Sequence, residues 1–217
     1  MDLTTTIFQL LGGLVTSLEI FAFTLIFSLP LGMVLAFGRM SKNTVIRFIT
    51  KVYISIMRGT PLMLQLIVVY FGPYYVFHTR ISAGYRFVAV IVAFALNYAA
   101  YFAEIFRSGM ESMPKGQYEA AQVLGYTRTQ TFFHIILPQV IKRVLPAVTN
   151  EIITLVKDTS LAFAIAVAEM FTIAKQIAAA SATILPLMIA GLFYYIFNLV
   201  VSFVMEKIEK RYGYYKI

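Results

Sequence analysis

Acidic and amide side chains recur at helical spacing within two apolar stretches of the chain. The two sets, each spaced i, i+4 and i+7, are Asn97, Tyr101 and Glu104, then Glu151, Leu155 and Asp158. This spacing places each set on one face of a helix. A carboxylate in a low-dielectric cavity strongly favours an ammonium or guanidinium group. The two faces therefore predict a cavity for a polar molecule, and Glu151 favours a cationic one.

If the two apolar stretches cross a membrane, the depth of each polar group within the membrane helps to decide whether it contacts a substrate or has a structural role. An ionisable group at the centre of a membrane costs about 2.5–3.5 kcal/mol on insertion scales, so each one needs a partner or a function. Glu104 lies near the end of its stretch and close to Arg107, which favours an ion pair that only holds helices together. Asn97 and Glu151 lie deeper in their stretches, which favours contact with a substrate.

The string from Lys157 to Ser160, Lys-Asp-Thr-Ser, is unusual for a helix that faces lipid. A charge pair followed by two hydroxyls indicates a break in the helix, because irregular backbone within a membrane is tolerated only where protein or a water-filled cavity surrounds it. We expect Asp158 or Glu104 to neutralise Lys157, and Ser160 to join the residues that contact the substrate.

The composition of the whole chain identifies the medium in which these helices lie. Of its 217 residues, 60% are hydrophobic and 13% are charged, against about 45–50% and about 25% in soluble proteins. The mean hydropathy is +0.80. The absence of cysteine excludes disulfides and thiolate metal sites, and two distant histidines make a poor metal site. The chain is therefore predicted to be an integral membrane protein.

Five apolar stretches are long enough to cross a membrane, which takes about 20 residues per helix. Their ranges are 12–37, 60–77, 85–106, 144–167 with a break near 157, and 185–205. The longest polar segment, 107–143, lies between the third and fourth of them. We predict an all-α integral membrane protein, a single transmembrane domain over 1–217, with a helix-turn-helix cytoplasmic loop at 107–143.

The basic residues predict the orientation of these spans, because cytoplasmic loops carry an excess of Lys and Arg. With the N-terminus outside and the C-terminus inside, 14 of the 18 basic residues are internal: Arg39, Lys42, Arg47, Lys51, Arg58, Arg107, Lys115, Arg128, Lys142, Arg143, Lys207, Lys210, Arg211 and Lys216. Only Arg80, Arg86 and Lys175 are external. The net charge of +8 thus reports topology and contact with anionic lipid, and nucleic acid is not needed to explain it.

The cytoplasmic loop has its own helix signals. A helix is predicted after Pro114 and ends at Gly125, a residue suited to the position just beyond a helix. Thr127 and Gln130 then have the spacing of a capping box, which predicts a second short helix that Pro138 bends back towards the membrane. On this pattern alone, the loop could equally be a structured connector that packs on its own bundle.

A longer string within the loop carries a family resemblance. Glu119-Ala120-Ala121, three residues, Gly125, nine residues and Ile-x-Leu137-Pro138 resemble the cytoplasmic loop signature of permease subunits in bacterial binding-protein-dependent ABC importers. Three further strings resemble the polar amino acid branch of that family. They are Tyr-Ile-Ser-Ile-Met-Arg-Gly-Thr-Pro at 53–61, Asn-Tyr-Ala-Ala-Tyr-Phe-Ala-Glu-Ile-Phe-Arg at 97–107 and Lys-Asp-Thr-Ser-Leu at 157–161.

The resemblance implies a role for the loop and a set of partners. The loop would form a coupling helix that docks on a separate ABC ATPase dimer through Glu119, Ala120, Ala121, Gly125, Leu137 and Pro138. This chain lacks a Gly-x4-Gly-Lys-Ser/Thr phosphate loop. ATP and magnesium would therefore belong to the ATPase, and this chain would be neither an enzyme nor the holder of a cofactor.

The other implied partners are an extracellular or periplasmic amino acid binding protein, a second permease that is identical or similar, and the lipid of a bacterial inner membrane. The binding protein is expected to dock near Glu169 and Lys175, at the outer surface. The complex would move an amino acid into the cytoplasm by alternating access. Which amino acid it moves, and whether the membrane part itself holds a substrate site, are left open at this stage.

The alternative function is that of an ion-gradient-driven carrier or a channel subunit, which needs no ATPase. Such carriers often contain two internal repeats with broken helices in matching positions. Here a break is predicted only in the fourth span and no repeat is evident. These observations favour the importer subunit over the carrier.

Overall fold

The structure is a computed structural model that describes residues 3–80, 82 and 84–212, and within them it is built from helices. The helices are α1 (Leu3–Arg39), α2 (Thr44–Gly59), α3 (Leu62–Phe77), α4 (Tyr85–Glu111), α5 (Lys115–Val123), α6 (Arg128–Gln130), α7 (Leu137–Asp158), α8 (Met170–Ser181) and α9 (Leu185–Tyr212). A π-helical turn, Thr131–Ile136, precedes α7, and a 3₁₀ segment, Thr159–Ile165, follows it.

Four continuous helical stretches of the described residues are long and apolar enough to cross a membrane. They are Leu3–Arg39, Tyr85–Glu111, Arg128–Ile165 and Leu185–Tyr212. A fifth crossing arises if α2 and α3, which meet at an angle of 109°, count as one broken span. An all-helical fold with four or five apolar spans thus agrees with the composition. Lys216, one of the basic residues counted inside, lies outside the described residues.

Helix α2 was missed at the sequence level, where residues 44–59 were assigned to a basic cytoplasmic segment. Asn43 begins the helix, and its side-chain oxygen accepts a hydrogen bond from the Val45 amide at 2.9 Å. Ile54 is buried against α1 and α4, and the Tyr53 hydroxyl donates to the Leu96 carbonyl at 2.7 Å. The basic residues that suggested a loop lie on an amphipathic helix with a narrow buried face.

The first span packs against α4 and α8 through a row of small residues. Buried Gly13, Ser17, Thr24, Ser28 and Gly32 recur about every fourth position, one face of α1. A Cβ atom on Gly32 would lie 2.8 Å from the Cβ of Phe102, so only glycine allows this approach of the helices. Small residues are the usual means of close helix packing in membranes.

The segment predicted as the loop 107–143 is mostly helical and continuous with the spans. Helix α4 runs on to Glu111, and the second short helix is the beginning of the long stretch Arg128–Ile165. Pro138 has no N–H to donate to the His134 carbonyl. The adjacent turn is π-helical, with the Leu137 amide bonded to the Phe132 carbonyl. Pro138 therefore stands within a continuous helix rather than between two helices.

Glu169 caps α8 and is completely buried. One carboxylate oxygen accepts from the Thr172 amide and hydroxyl, both at 2.7 Å. The other accepts from the Phe171 amide at 2.7 Å and the Tyr194 hydroxyl at 2.9 Å. Glu169 is therefore not exposed to a partner, because its side chain holds α8 to α9 inside the bundle, and the docking of a binding protein near Glu169 and Lys175 stays a prediction.

Adjacent glycines in α1 provide a test of this packing. A Cβ on Gly13 would lie 2.7 Å from the Cα of Met170 in α8, whereas a Cβ on Gly12 meets nothing within 4 Å. We expect Gly13→Ala to lower the free energy of unfolding by about 1–3 kcal/mol, as overpacking does. Gly12→Ala is the matched control and should leave stability unchanged or slightly raised. Thermal denaturation of the purified protein in detergent measures both, and equal midpoints for the two variants would contradict this packing.

Candidate functional site

A cavity of about 310 Å³ lies where α3, α4 and α7 meet. Its lining residues are Thr60, Pro61, Leu62, Asn97, Tyr98, Tyr101, Glu151, Thr154, Asp158 and Leu161. Two helix breaks contribute to the wall: the one between α2 and α3, and the one that follows α7. The cavity is therefore built from irregular backbone and polar side chains between the helices.

Two carboxylates, Glu151 and Asp158, face this cavity from α7. Asp158 accepts a hydrogen bond from the Tyr98 hydroxyl at 2.8 Å. Glu151 is half-buried and makes no hydrogen bond or ion pair to any described residue. Lys157 is exposed, and none of the ion pairs among the described residues includes it. The expected Lys157–Asp158 pair is thus not formed, and the cavity carries two acidic groups.

The structure brings together four of the seven candidate substrate residues: Asn97, Tyr101, Glu151 and Asp158. The remaining three lie elsewhere. Leu155 is buried in the hydrophobic core, and the Ser160 hydroxyl donates to the Lys157 carbonyl at 2.7 Å. Glu104 bonds to the Arg107 guanidinium at 2.6 Å and lines a second cavity.

The break between α2 and α3 is held by two amide side chains. The Asn97 amide group donates to the Met57 carbonyl and to the Gln65 side-chain oxygen, both at 3.0 Å. Gln65 in turn donates to the Met57 carbonyl at 2.9 Å and to the Thr60 hydroxyl at 2.7 Å. These bonds satisfy carbonyls that the interrupted helix leaves without partners. Asn97 therefore shapes the cavity wall as well as facing the cavity.

Six lining residues were not among the predicted site residues: Thr60, Pro61, Leu62, Tyr98, Thr154 and Leu161. All but Thr154 belong to, or directly follow, strings that carried the family resemblance, at 53–61, 97–107 and 157–161. These sequence motifs coincide with the helix breaks and with the polar groups that face the cavity. Their neighbours in space become visible only when the helices are packed.

A larger cavity of about 540 Å³ adjoins the first and shares Tyr101 and Glu151 with it. It extends along α4 and α7 to Ser112 and Arg143, beside the loop that joins these two helices. Three arginines and two glutamates line it: Arg58, Arg107, Arg143, Glu104 and Glu151. The two cavities together form a polar route from the bundle interior to the end that carries the basic loops.

The loop between α4 and α7 includes α5 and turns sharply at Gly125. Its φ of +81° is in the left-handed region, where glycine is favoured. The Tyr126 amide bonds to the Ala121 carbonyl and the Gly125 amide to the Gln122 carbonyl, both at 3.0 Å, which is a Schellman motif. The capping box predicted at Thr127 and Gln130 is confirmed, with both reciprocal bonds present.

Side-chain bonds fix this loop to the helices that build the cavities. The Gln117 and Gln139 amides exchange two hydrogen bonds of 2.9 Å, which joins α5 to the start of α7. Arg143 donates to the carbonyl and hydroxyl of Ser112 at 2.9 and 3.1 Å, which joins α7 to the end of α4. A displacement of α5 would therefore be transmitted to both α4 and α7.

The surface of the loop divides the residues expected to dock on a partner. Glu119, Ala120 and Gly125 are exposed, whereas Ala121 is buried beneath them. Leu137 and Pro138 belong to the first turn of α7. Two apolar residues that were not singled out, Val123 and Leu124, are 87% and 74% exposed. This uncovered apolar tip beside Glu119 suits contact with another protein.

The sequence was compared with protein families, curated proteins and solved structures. Residues 28–214 match the family described as binding-protein-dependent transport system inner membrane component. The arginine transport system permease protein ArtQ of Bacillus subtilis is 38% identical over 215 residues, 97% of each chain. The L-cystine transport system permease protein TcyB of the same organism is 38% identical over 202 residues, 92% of this chain and 85% of its own.

A solved structure has the same fold over nearly the whole chain. It is described as an amino acid ABC transporter with histidines, and it superposes with a TM-score of 0.85 at 30% sequence identity. The superposition covers 97% of this chain and 99% of the other.

Within the described ranges, no group of three or more His, Cys, Asp or Glu side chains could hold a metal ion.

Proposed function

The chain belongs to the family of inner membrane components of binding-protein-dependent transport systems. On that premise we propose that it is the membrane subunit of an ATP-driven importer and carries a cationic amino acid across the membrane. The family, the named relatives and the apolar helices make it a multi-pass permease subunit of amino acid transport in the bacterial inner membrane. The proposal adds the class of substrate, the path and the means of coupling.

The observation that carries the proposal is the pair of carboxylates in the smaller cavity. Glu151 forms no direct ion pair within the described chain and interacts with Arg58 only at longer range, and the one hydrogen bond to the Asp158 side chain is from a neutral hydroxyl. An ammonium or guanidinium group of a substrate would supply the positive charge that pairs directly with these carboxylates. An amino acid with a neutral side chain has only its α-ammonium group for two carboxylates, whereas a cationic side chain adds a second positive group.

The names of the relatives do not decide which amino acid this chain transports. ArtQ is named for arginine transport and TcyB for L-cystine transport, at equal sequence identity to this chain. The charge of the cavity therefore supports a cationic substrate independently of these names. Asn97, Tyr101, Glu151 and Asp158 are the proposed contacts. Glu104, Leu155 and Ser160 are expected to act structurally, through the ion pair, the core packing and the backbone bond described above.

Coupling to ATP hydrolysis would pass through α5. A partner ATPase dimer, which holds ATP and magnesium, would receive Glu119, Ala120 and the apolar tip in a surface groove. Its closure would move α5, and the Gln117–Gln139 bonds would carry the movement to α7. Rigid-body movement of packed helices is a recurrent means of switching access to a site.

Two further elements complete the proposed complex. A second permease, identical or similar, would close the path, because both cavities are open at the surface of a single chain. A binding protein would deliver the amino acid at the opposite end, which the distribution of basic residues assigns to the outside. This orientation places the N-terminus outside and the C-terminus inside the cytoplasm.

Neutralising one carboxylate tests the cationic substrate. We expect Glu151→Gln to lower uptake of arginine or lysine about 10-fold or more, because a charge-assisted hydrogen bond contributes about 1.5–3 kcal/mol. Uptake is measured in proteoliposomes that contain the complete complex and binding protein, with arginine, lysine, histidine and glutamine in competition. Glu19→Gln is the matched control, since Glu19 is an exposed carboxylate of α1 that lines neither cavity. Unchanged uptake of cationic amino acids in Glu151→Gln would sink the cationic assignment.

Substitution of the turn glycine tests the coupling route. Alanine at Gly125 must adopt a left-handed conformation that costs about 1–2 kcal/mol, so Gly125→Ala should distort the end of α5. We expect less ATPase to co-purify with this variant and its substrate-stimulated ATP hydrolysis to fall. Gly116→Ala, in the same helix with open space around its Cβ position, should behave as the wild type. Transport by the chain without an ATPase, driven by a sodium or proton gradient, would instead favour the carrier.

A further inference from the structure

Arg58 lies at the end of α2, immediately before the break that lines the smaller cavity. Its guanidinium carbon stands 5.3 Å from the centre of the Tyr101 ring, in a cation–π arrangement. Arg58 lines the larger cavity together with Tyr101 and Glu151, the two residues that both cavities share. The Arg58 guanidinium therefore lies beside the residues at which the two cavities meet.

The other two arginines of the larger cavity are already engaged. Arg107 forms ion pairs with Glu104 and Glu111, and Arg143 donates to Ser112. Arg58 makes no hydrogen bond or ion pair to any residue in the described ranges. Its side chain is held over an aromatic face, which uses none of its five N–H donors. Arg58 is thus the arginine of the larger cavity whose five N–H donors are all available to a ligand, although Glu104 and Glu151 attract its charge at longer range.

An amino acid presents a charge that the two carboxylates cannot accept. Its α-carboxylate is repelled by Glu151 and Asp158, whichever side chain it carries, so a cavity with only acidic groups would favour a simple amine. Of the cations that line either cavity, Arg58 and Arg143 form no ion pair within the described ranges, and of these two only Arg58 contacts Tyr101, a residue that both cavities share. Guanidinium binds carboxylate through two parallel hydrogen bonds, a geometry that lysine cannot match.

We propose that Arg58 binds the α-carboxylate of the amino acid at the junction of the two cavities, while Glu151 faces its side-chain cation. The Tyr101 ring would hold one face of the guanidinium and leave the N–H groups at the guanidinium edge free to bind the ligand. This subsite rests on the proposed amino acid transport but adds a means of selection. The path would distinguish arginine from agmatine, the same guanidinium compound without a carboxylate.

Equilibrium binding to the permease–ATPase complex in nanodiscs, without binding protein, tests this subsite. Omission of the binding protein removes its own selectivity from the measurement. We expect the wild type to bind arginine about 10-fold more tightly than agmatine, the effect of one charge-assisted contact. Arg58→Gln should abolish this preference by weakening arginine binding while agmatine binding stays within about 3-fold, well below that effect. Arg58→Lys should restore part of it, and Arg47→Gln, on the same helix but outside both cavities, should change neither ligand.

Retained agmatine binding shows that the Arg58→Gln variant is folded. Equal weakening of both ligands in Arg58→Gln would overturn the subsite, as would a wild type that binds both equally. Glu151→Gln in the same assay separates the two proposals, since it should weaken arginine and agmatine alike. If Glu151→Gln has no effect while Arg58→Gln still weakens arginine alone, the cationic assignment fails and the carboxylate subsite stands.

Discussion

Two neighbouring side chains on α4 each hold one of the helix breaks from which the cavity is built. A broken helix inside a membrane exposes backbone groups that lipid cannot satisfy. Asn97 bonds to Met57 at the break between α2 and α3, and Tyr98 bonds to Asp158 where α7 ends. Because both contacts arise from one turn of α4, the breaks meet at one level of the bundle. This turn of α4 therefore determines the shape of the smaller cavity, the position of its acidic groups and its junction with the larger cavity.

The same two helices connect the site to the cytoplasmic end. Helix α7 carries Glu151 and Asp158 and begins at Leu137, beside the Gln117–Gln139 bonds. Helix α4 carries Asn97 and Tyr101 and ends next to Ser112, which Arg143 holds. The walls of the cavity and the attachment of α5 are therefore parts of the same rigid elements. A change at the loop needs no flexible intermediary to alter the shape of the site.

Sequence periodicity predicted faces, and the packing of those faces decided which residues meet. Glu151 and Asp158 reach one cavity as their spacing indicates, but Leu155 between them turns into the core. The apolar spans and the capping box follow from local composition and were predictable. The partners of Arg58 and Asn97 depend on the angle between α2 and α3, which no local pattern encodes. Helix α2 was missed because basic residues on its exposed side obscured its narrow apolar face.

The π-helical turn at Thr131–Ile136 fixes the rotational phase between the loop and α7. A π turn holds one residue more than an α turn, and each residue of an α-helix advances about 100° around the axis. Removal of that one residue would leave the composition and the docking residues intact. It would nevertheless rotate α5 and its apolar tip by about a quarter turn relative to the carboxylates of α7. The one additional residue of the π turn thus sets the direction in which α5 and its apolar tip face relative to α7.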